Sequence, residues 1–70
     1  MRIVKVGLTN TNEIVSIDFD ELFCVELKDP DTNLVNSAVI AKTAREAWEW
    51  LDFHGVYKIR WISTRNKEAI

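Results

Sequence analysis

The sequence predicts an α+β domain: a small antiparallel sheet of three to five strands with one α-helix packed on one face, in the order β-β-(β)-β-α-β. Three observations predict it. Several stretches alternate apolar and polar residues, the period of a strand with one covered face. Clusters of turn-forming residues, "TNTN" and "DPDTN", divide those stretches. A single stretch, about residues 44–54, combines helical periodicity with a start and a stop signal.

Taken in order, "RIVKVGL" places Val4, Val6 and Leu8 on one face. "EIVSIDF" places Val15, Ile17 and Phe19 on one face and Ser16 and Asp18 on the other. Thr9 to Asn12 lies between them, and such side chains bond their own backbone in tight turns, so a hairpin is expected. "LFCVELK" alternates again, with Phe23, Val25 and Leu27 opposite Cys24, Glu26 and Lys28. The odd-numbered apolar set from Val15 to Leu27 is broken only by Glu21. "DFDE" is therefore either a turn between two strands or a bulge in one long bent strand, and the pattern leaves both open. Pro30 presets a turn between Asp29 and Asn33. "LVNSAVIA" follows with a mixed pattern, which suits a strand covered on both faces.

Thr43 and Glu46 form the spacing of a capping box, in which hydroxyl and carboxylate each take an unpaired helix amide. Gly55 is a natural C-terminal stop, free to adopt positive φ. On a wheel turning about 100° per residue, Ala44, Ala47, Trp48 and Leu51 gather into one apolar stripe. Trp50 falls at its edge beside Glu46 and His54, and Phe53 falls on the polar side. Trp48 is thus the expected core residue; Trp50 and Phe53 either cover the rim of the sheet or form an exposed aromatic contact. "YKIRWIS" then alternates as a last strand, with Tyr57, Ile59 and Trp61 on one face. The tail has no pattern, and residues 65–70 are expected to fray.

At 70 residues the chain is one domain, 1–70, with a thin stability margin. Hydrophobic residues at 47% and charged ones at 29% are ordinary globular values, which argues against disorder. One cysteine leaves no internal disulfide, and no clustered ligands offer a structural zinc site. A partner subunit or complex is the remaining support for so small a core, so a homo-oligomer is one expectation. Short, charge-interrupted apolar runs predict no membrane span. The lack of a signal-type apolar stretch and a free Cys24 predict a cytoplasmic protein.

Charge is unevenly placed. Seven acids from Glu13 to Asp31 face Lys28 alone, whereas Lys58, Arg60, Arg65 and Lys67 face only Glu68 near the end. Solvated strand faces and turns account for this simply. The functional alternative is an acidic surface that meets a basic or nucleic-acid-handling partner. The basic end could contact nucleic acid, but alternation sets Lys58 and Arg60 opposite Tyr57 and Trp61, and the acids elsewhere repel phosphate. Direct nucleic-acid binding is the weaker expectation.

Enzyme chemistry finds little footing. Cys24 and His54 are the only nucleophile–base candidates, and no spacing relates them. The strand cysteine reads as a small buried hydrophobe. His54 at a helix C-terminus is more simply a partner of the helix dipole. "DFDE" and "DPD" lack the length and glycine of a calcium loop, and two glycines build no phosphate loop. No catalytic, cofactor-binding or metal-ligating set is expected.

In length, sheet, capped helix ("TAREAWEWL") and last strand ("YKIRWIS"), the plan is similar to that of small phage-encoded proteins that bind and disable a host enzyme or defence protein. That resemblance is architectural and carries no motif. It implies a non-catalytic protein-interaction domain, an inhibitor or adaptor. The residues expected to carry contact are Trp50, Phe53 and His54 on the helix edge, with Asp18, Asp20 and Glu21 as the charged part. The alternative is a small nucleic-acid binder using the basic C-terminal strand.

Overall fold

The computed structural model describes residues 2–67. Its elements follow the expected order: β1 (Arg2–Thr9), β2 (Ile14–Phe19), β3 (Phe23–Lys28), β4 (Val35–Ala41), α1 (Ala44–Phe53) and β5 (Ile59–Lys67). The five strands form one antiparallel sheet in the order β4-β3-β2-β1-β5. Three hairpins build β1 to β4. The helix then carries the chain over one face, and β5 returns against β1 at the far edge.

The choice left open at "DFDE" falls to two strands joined by the turn at residues 20–22. Pairing of Val15 with Leu27, Ile17 with Val25 and Phe19 with Phe23 keeps odd residues of both strands on one face. Val15, Ile17, Val25 and Leu27, with Ala41, Ala47, Leu51 and Val56, are the buried core, and Phe19 and Phe23 pack against it partly buried. The Asp29–Asn33 turn forms as its residues dictate: Asp29 Oδ1 accepts from the N–H groups of Asp31 (2.8 Å) and Thr32 (3.1 Å), and Asn33 takes positive φ.

Both helix ends follow local chemistry. Thr43 Oγ1 accepts the N–H of Glu46 at 3.1 Å. The Glu46 carboxylate reaches back to the N–H of Lys42 at 3.0 Å, one residue before the cap. At the other end Gly55 has φ 77°, its N–H bonds Asp52 O, and the N–H of Val56 bonds Leu51 O. These two bonds make a Schellman motif, and its apolar partners Leu51 and Val56 are both buried.

Four expectations are corrected. Trp48 is 51% exposed, whereas Trp50 is the half-buried tryptophan packed on the core. The buried helix residues are Ala47 and Leu51, so with Trp50 and His54 the covered stripe centres about 110° away from Trp48 at 100° per residue. The cause is that α1 packs on β3 and β4 near one side of the sheet, not across its middle. Second, β4 is an edge strand with Val35, Ala38 and Ile40 exposed, not one covered on both faces. Third, residues 65–67 continue β5 alongside Arg2 to Val4 instead of fraying, because β1 supplies backbone partners along its whole length. The expectation for residues 68–70 lies outside the described residues. Fourth, Cys24 is exposed, since it lies on the sheet face opposite the core.

Candidate interaction surfaces

A single helix covers one face of the sheet, and the other face stays open. Val15 and Ile17 point to the core, so their cross-strand partners Gly7 and Lys5 share that face. Val4, Val6 and Leu8 therefore lie on the uncovered face. The regular apolar alternation of β1 marks the side that the helix does not cover. On that face Leu8 pairs with Ile14, and Ile40 pairs with Cys24.

A bulge completes the surface. Val6 pairs with Ser63 and Gly7 with Trp61, so Ile62 is an extra residue on β5. Arg60 and Arg65 are five apart and would face opposite ways in a regular strand. The extra residue brings both onto the uncovered face, where Arg60 pairs with Leu8 and Arg65 with Val4. An apolar column on β1 thus runs beside a basic column on the sheet edge. Neither the face of β1 nor the shared face of Arg60 and Arg65 was read from the sequence. The signal that could have found the bulge is Gly7, where an added Cβ would stand 2.6 Å from Ile59 Cγ2.

The residues expected to carry contact fall into two groups at opposite ends of the domain. Trp50, Phe53 and His54 cluster at the C-terminal end of α1. The His54 ring lies 4.3 Å from that of Trp50 and 5.6 Å from that of Phe53, nearly perpendicular to the latter. Phe53 is 85% exposed, while Trp50 spends much of its surface on the core. Asp18, Asp20 and Glu21 lie at the other end, by the β2–β3 turn next to the start of β1. Asp18 is engaged by Arg2, whose Nε donates to both carboxylate oxygens at 2.9 and 3.0 Å. That hydrogen bonding, with the Asp18 charge, raises the Arg2 pKa above its ordinary value. The remaining acids are dispersed: Glu13, Asp29 and Asp31 sit in turns at the end far from Asp20 and Glu21, and Glu26 is in mid-strand. The seven acids from Glu13 to Asp31 do not gather into one patch.

Cys24 and His54 are also kept apart. Cys24 is near the start of β3 on the uncovered face, and His54 caps the far end of the helix on the other. They form no nucleophile–base pair.

On the covered side, the offset of α1 leaves a cleft of about 160 Å³ between helix and β5. Trp48 and Trp61 are on its walls, Ile17, Phe19 and Phe23 at its base, and Lys5 reaches into it. The Lys5 ammonium lies 4.8 Å from the Trp61 ring centroid. The Phe19 and Phe23 rings meet edge to face at 4.9 Å, so the base is rigid aromatic surface.

No protein family, curated protein or solved structure matches the chain. Among the described residues no helix is long and apolar enough to cross a membrane.

Proposed function

We propose that this chain is a non-catalytic protein-interaction domain, an inhibitor or adaptor, that meets its partner through the uncovered face of the sheet. The observation that supports this most is the column Val4, Val6 and Leu8 lying beside Arg60 and Arg65. A flat apolar column with a charged border is how a protein contact excludes water at its centre and selects its partner at its rim. The basic border calls for a partner with an apolar ridge flanked by carboxylates. The earlier expectation of a basic partner rested on acids that the fold disperses over both ends.

The test is capture from cell lysate by the wild-type domain, Val6→Glu and Glu49→Lys, with bound proteins identified by mass spectrometry. Glu49 is on the helix, away from the uncovered face. An acidic-rimmed protein retained by wild type and Glu49→Lys but lost by Val6→Glu supports the surface. Equal retention by all three removes it. Light scattering on the same variants shows whether a second copy occupies that face, the outcome in which a dimer becomes a monomer on Val6→Glu.

A second reading, a nucleic-acid binder, draws on the same bulge, which puts Arg60 and Arg65 on one face with Ser63 between them. Its affinity would fall steeply with salt, and Arg60→Ala with Arg65→Ala would flatten that slope. No mobility shift at low salt would end it.

A further inference from the structure

We propose that the cleft between Trp48 and Trp61 is a binding site for a small planar ring that carries an anionic group, the ring in the aromatic cleft and the anion on the Lys5 ammonium. This goes beyond the protein contact and uses the opposite face of the sheet.

The size selects the ligand. The cleft holds about 160 Å³. An apolar cavity of about 150 Å³ accommodates a benzene ring, while drug-sized ligands need roughly 300 Å³ or more. One ring with a short substituent is therefore the size that the cleft can cover. The walls select planarity, since Trp48 and Trp61 present indole surface and Phe19 and Phe23 close the base.

Lys5 selects the charge. It stands on the core side of β1, opposite Ile17, where the neighbouring strand places an apolar residue. It is half-buried, and among the described residues no carboxylate lies within ion-pair distance of it. Its ammonium lies over the face of Trp61. The Lys5 ammonium is thus held by a ring face and not by a carboxylate, so its charge is not neutralised by an ion pair and can meet a ligand's anion. An ammonium has three donors, and the ring face leaves donors for an anion's oxygens. The first turn of α1, with Ala44 at the cleft, adds the positive end of the helix dipole.

Phenylacetate and its uncharged counterpart phenylacetamide, titrated into the 15N-labelled domain, test this. Phenylacetate should give saturating shifts at the indole N–H signals of Trp48 and Trp61 and little at Trp50. It should bind at least about tenfold more tightly than the amide. Lys5→Met should erase the difference between the two ligands, and Lys5→Gln, which retains a polar side chain, should do the same. Trp48→Ala should weaken both. Val6→Glu should leave binding unchanged, which separates this site from the protein contact. The proposal is overturned if neither ligand saturates, if acid and amide bind equally to wild type, or if the preference for acid persists in both Lys5 variants.

Discussion

The side chain of Asn10 clasps the backbone on both sides of Val56. Its Nδ2 donates to Gly55 O at 2.9 Å, and its Oδ1 accepts the N–H groups of Tyr57 at 3.0 Å and Lys58 at 3.2 Å. The first hairpin turn is thereby fastened to the connection between α1 and β5, and Val56 is held in the core between the fastened residues. β5 is the one strand added after a long excursion over the sheet, so its entry point decides its register.

Asn10→Ala removes all three bonds. At about 1 kcal/mol for each net hydrogen bond, reduced because the site is exposed, the loss should be about 1–3 kcal/mol. Urea denaturation should show a lower midpoint with an unchanged slope. Asn10→Asp keeps the acceptor and loses the donor, so its midpoint should fall between the two. An Asn10→Ala midpoint equal to wild type would show that the clasp contributes nothing.

Gly7 sits where β1 and β5 shift register. An added Cβ would lie 2.6 Å from Ile59 Cγ2 and 3.0 Å from the backbone oxygen of Arg60. A side-chain tip can swing aside, but the backbone of a paired strand cannot without straining the bulge. Gly7→Ala should therefore destabilise by about 1–3 kcal/mol, the range for overpacking. The Trp61 indole N–H signal should move as well, since Trp61 is the cross-strand partner of Gly7.

The tryptophans give a direct contrast. Trp50 packs on the core, so Trp50→Ala should cost about 2–3 kcal/mol, below the roughly 3–5 kcal/mol of a fully buried tryptophan because the ring is only half-buried. Trp48 lines an open cleft, and Trp48→Ala should cost less than about 1 kcal/mol. Thermal melts of the two variants rank them. The reverse order would mean that the helix sits rotated toward Trp48 in solution.

Much of this is legible in the sequence, and the legible parts share a cause. Thr43 with Glu46, Gly55, and Asp29 with Pro30 act within a few residues of chain, so their hydrogen bonds follow from spacing alone. The odd-numbered faces of β2 and β3 were legible because each has one covered face. What escaped depends on distant partners. The alternation of β1 shows two faces without saying which the helix covers. Trp48 and Trp50 stand about 200° apart on the helix, and only the offset of α1 over β3 and β4 decides between them. The bulge at Ile62 shifts every later residue of β5 to the other face, and a one-residue change of that kind leaves no periodic trace. Among the expected contact residues, the place of Phe53 on the polar side of the helix was legible, whereas its exposure and the separation of the acids from the helix edge were not.

Asp29 links the β3–β4 turn to pH. Hydrogen bonds from the N–H groups of Thr32 and Asp31 hold its pKa below the ordinary value of 3.8, because they favour the charged carboxylate. A depressed folded-state pKa contributes stability above the unfolded pKa, and that contribution disappears as pH falls through the folded value. The window therefore opens near the ordinary aspartate value and extends below it. Asp29→Asn keeps an oxygen for the same two N–H groups and removes the titration, so the turn should persist. Urea midpoints followed downward from neutral pH should then fall less steeply for Asp29→Asn than for wild type once the pH drops below about 4. The cause is hydrogen bonding and not a neighbouring cation, so added salt should leave this difference in place. Superimposable curves for the two proteins across the acid range would detach Asp29 from the acid sensitivity of the fold.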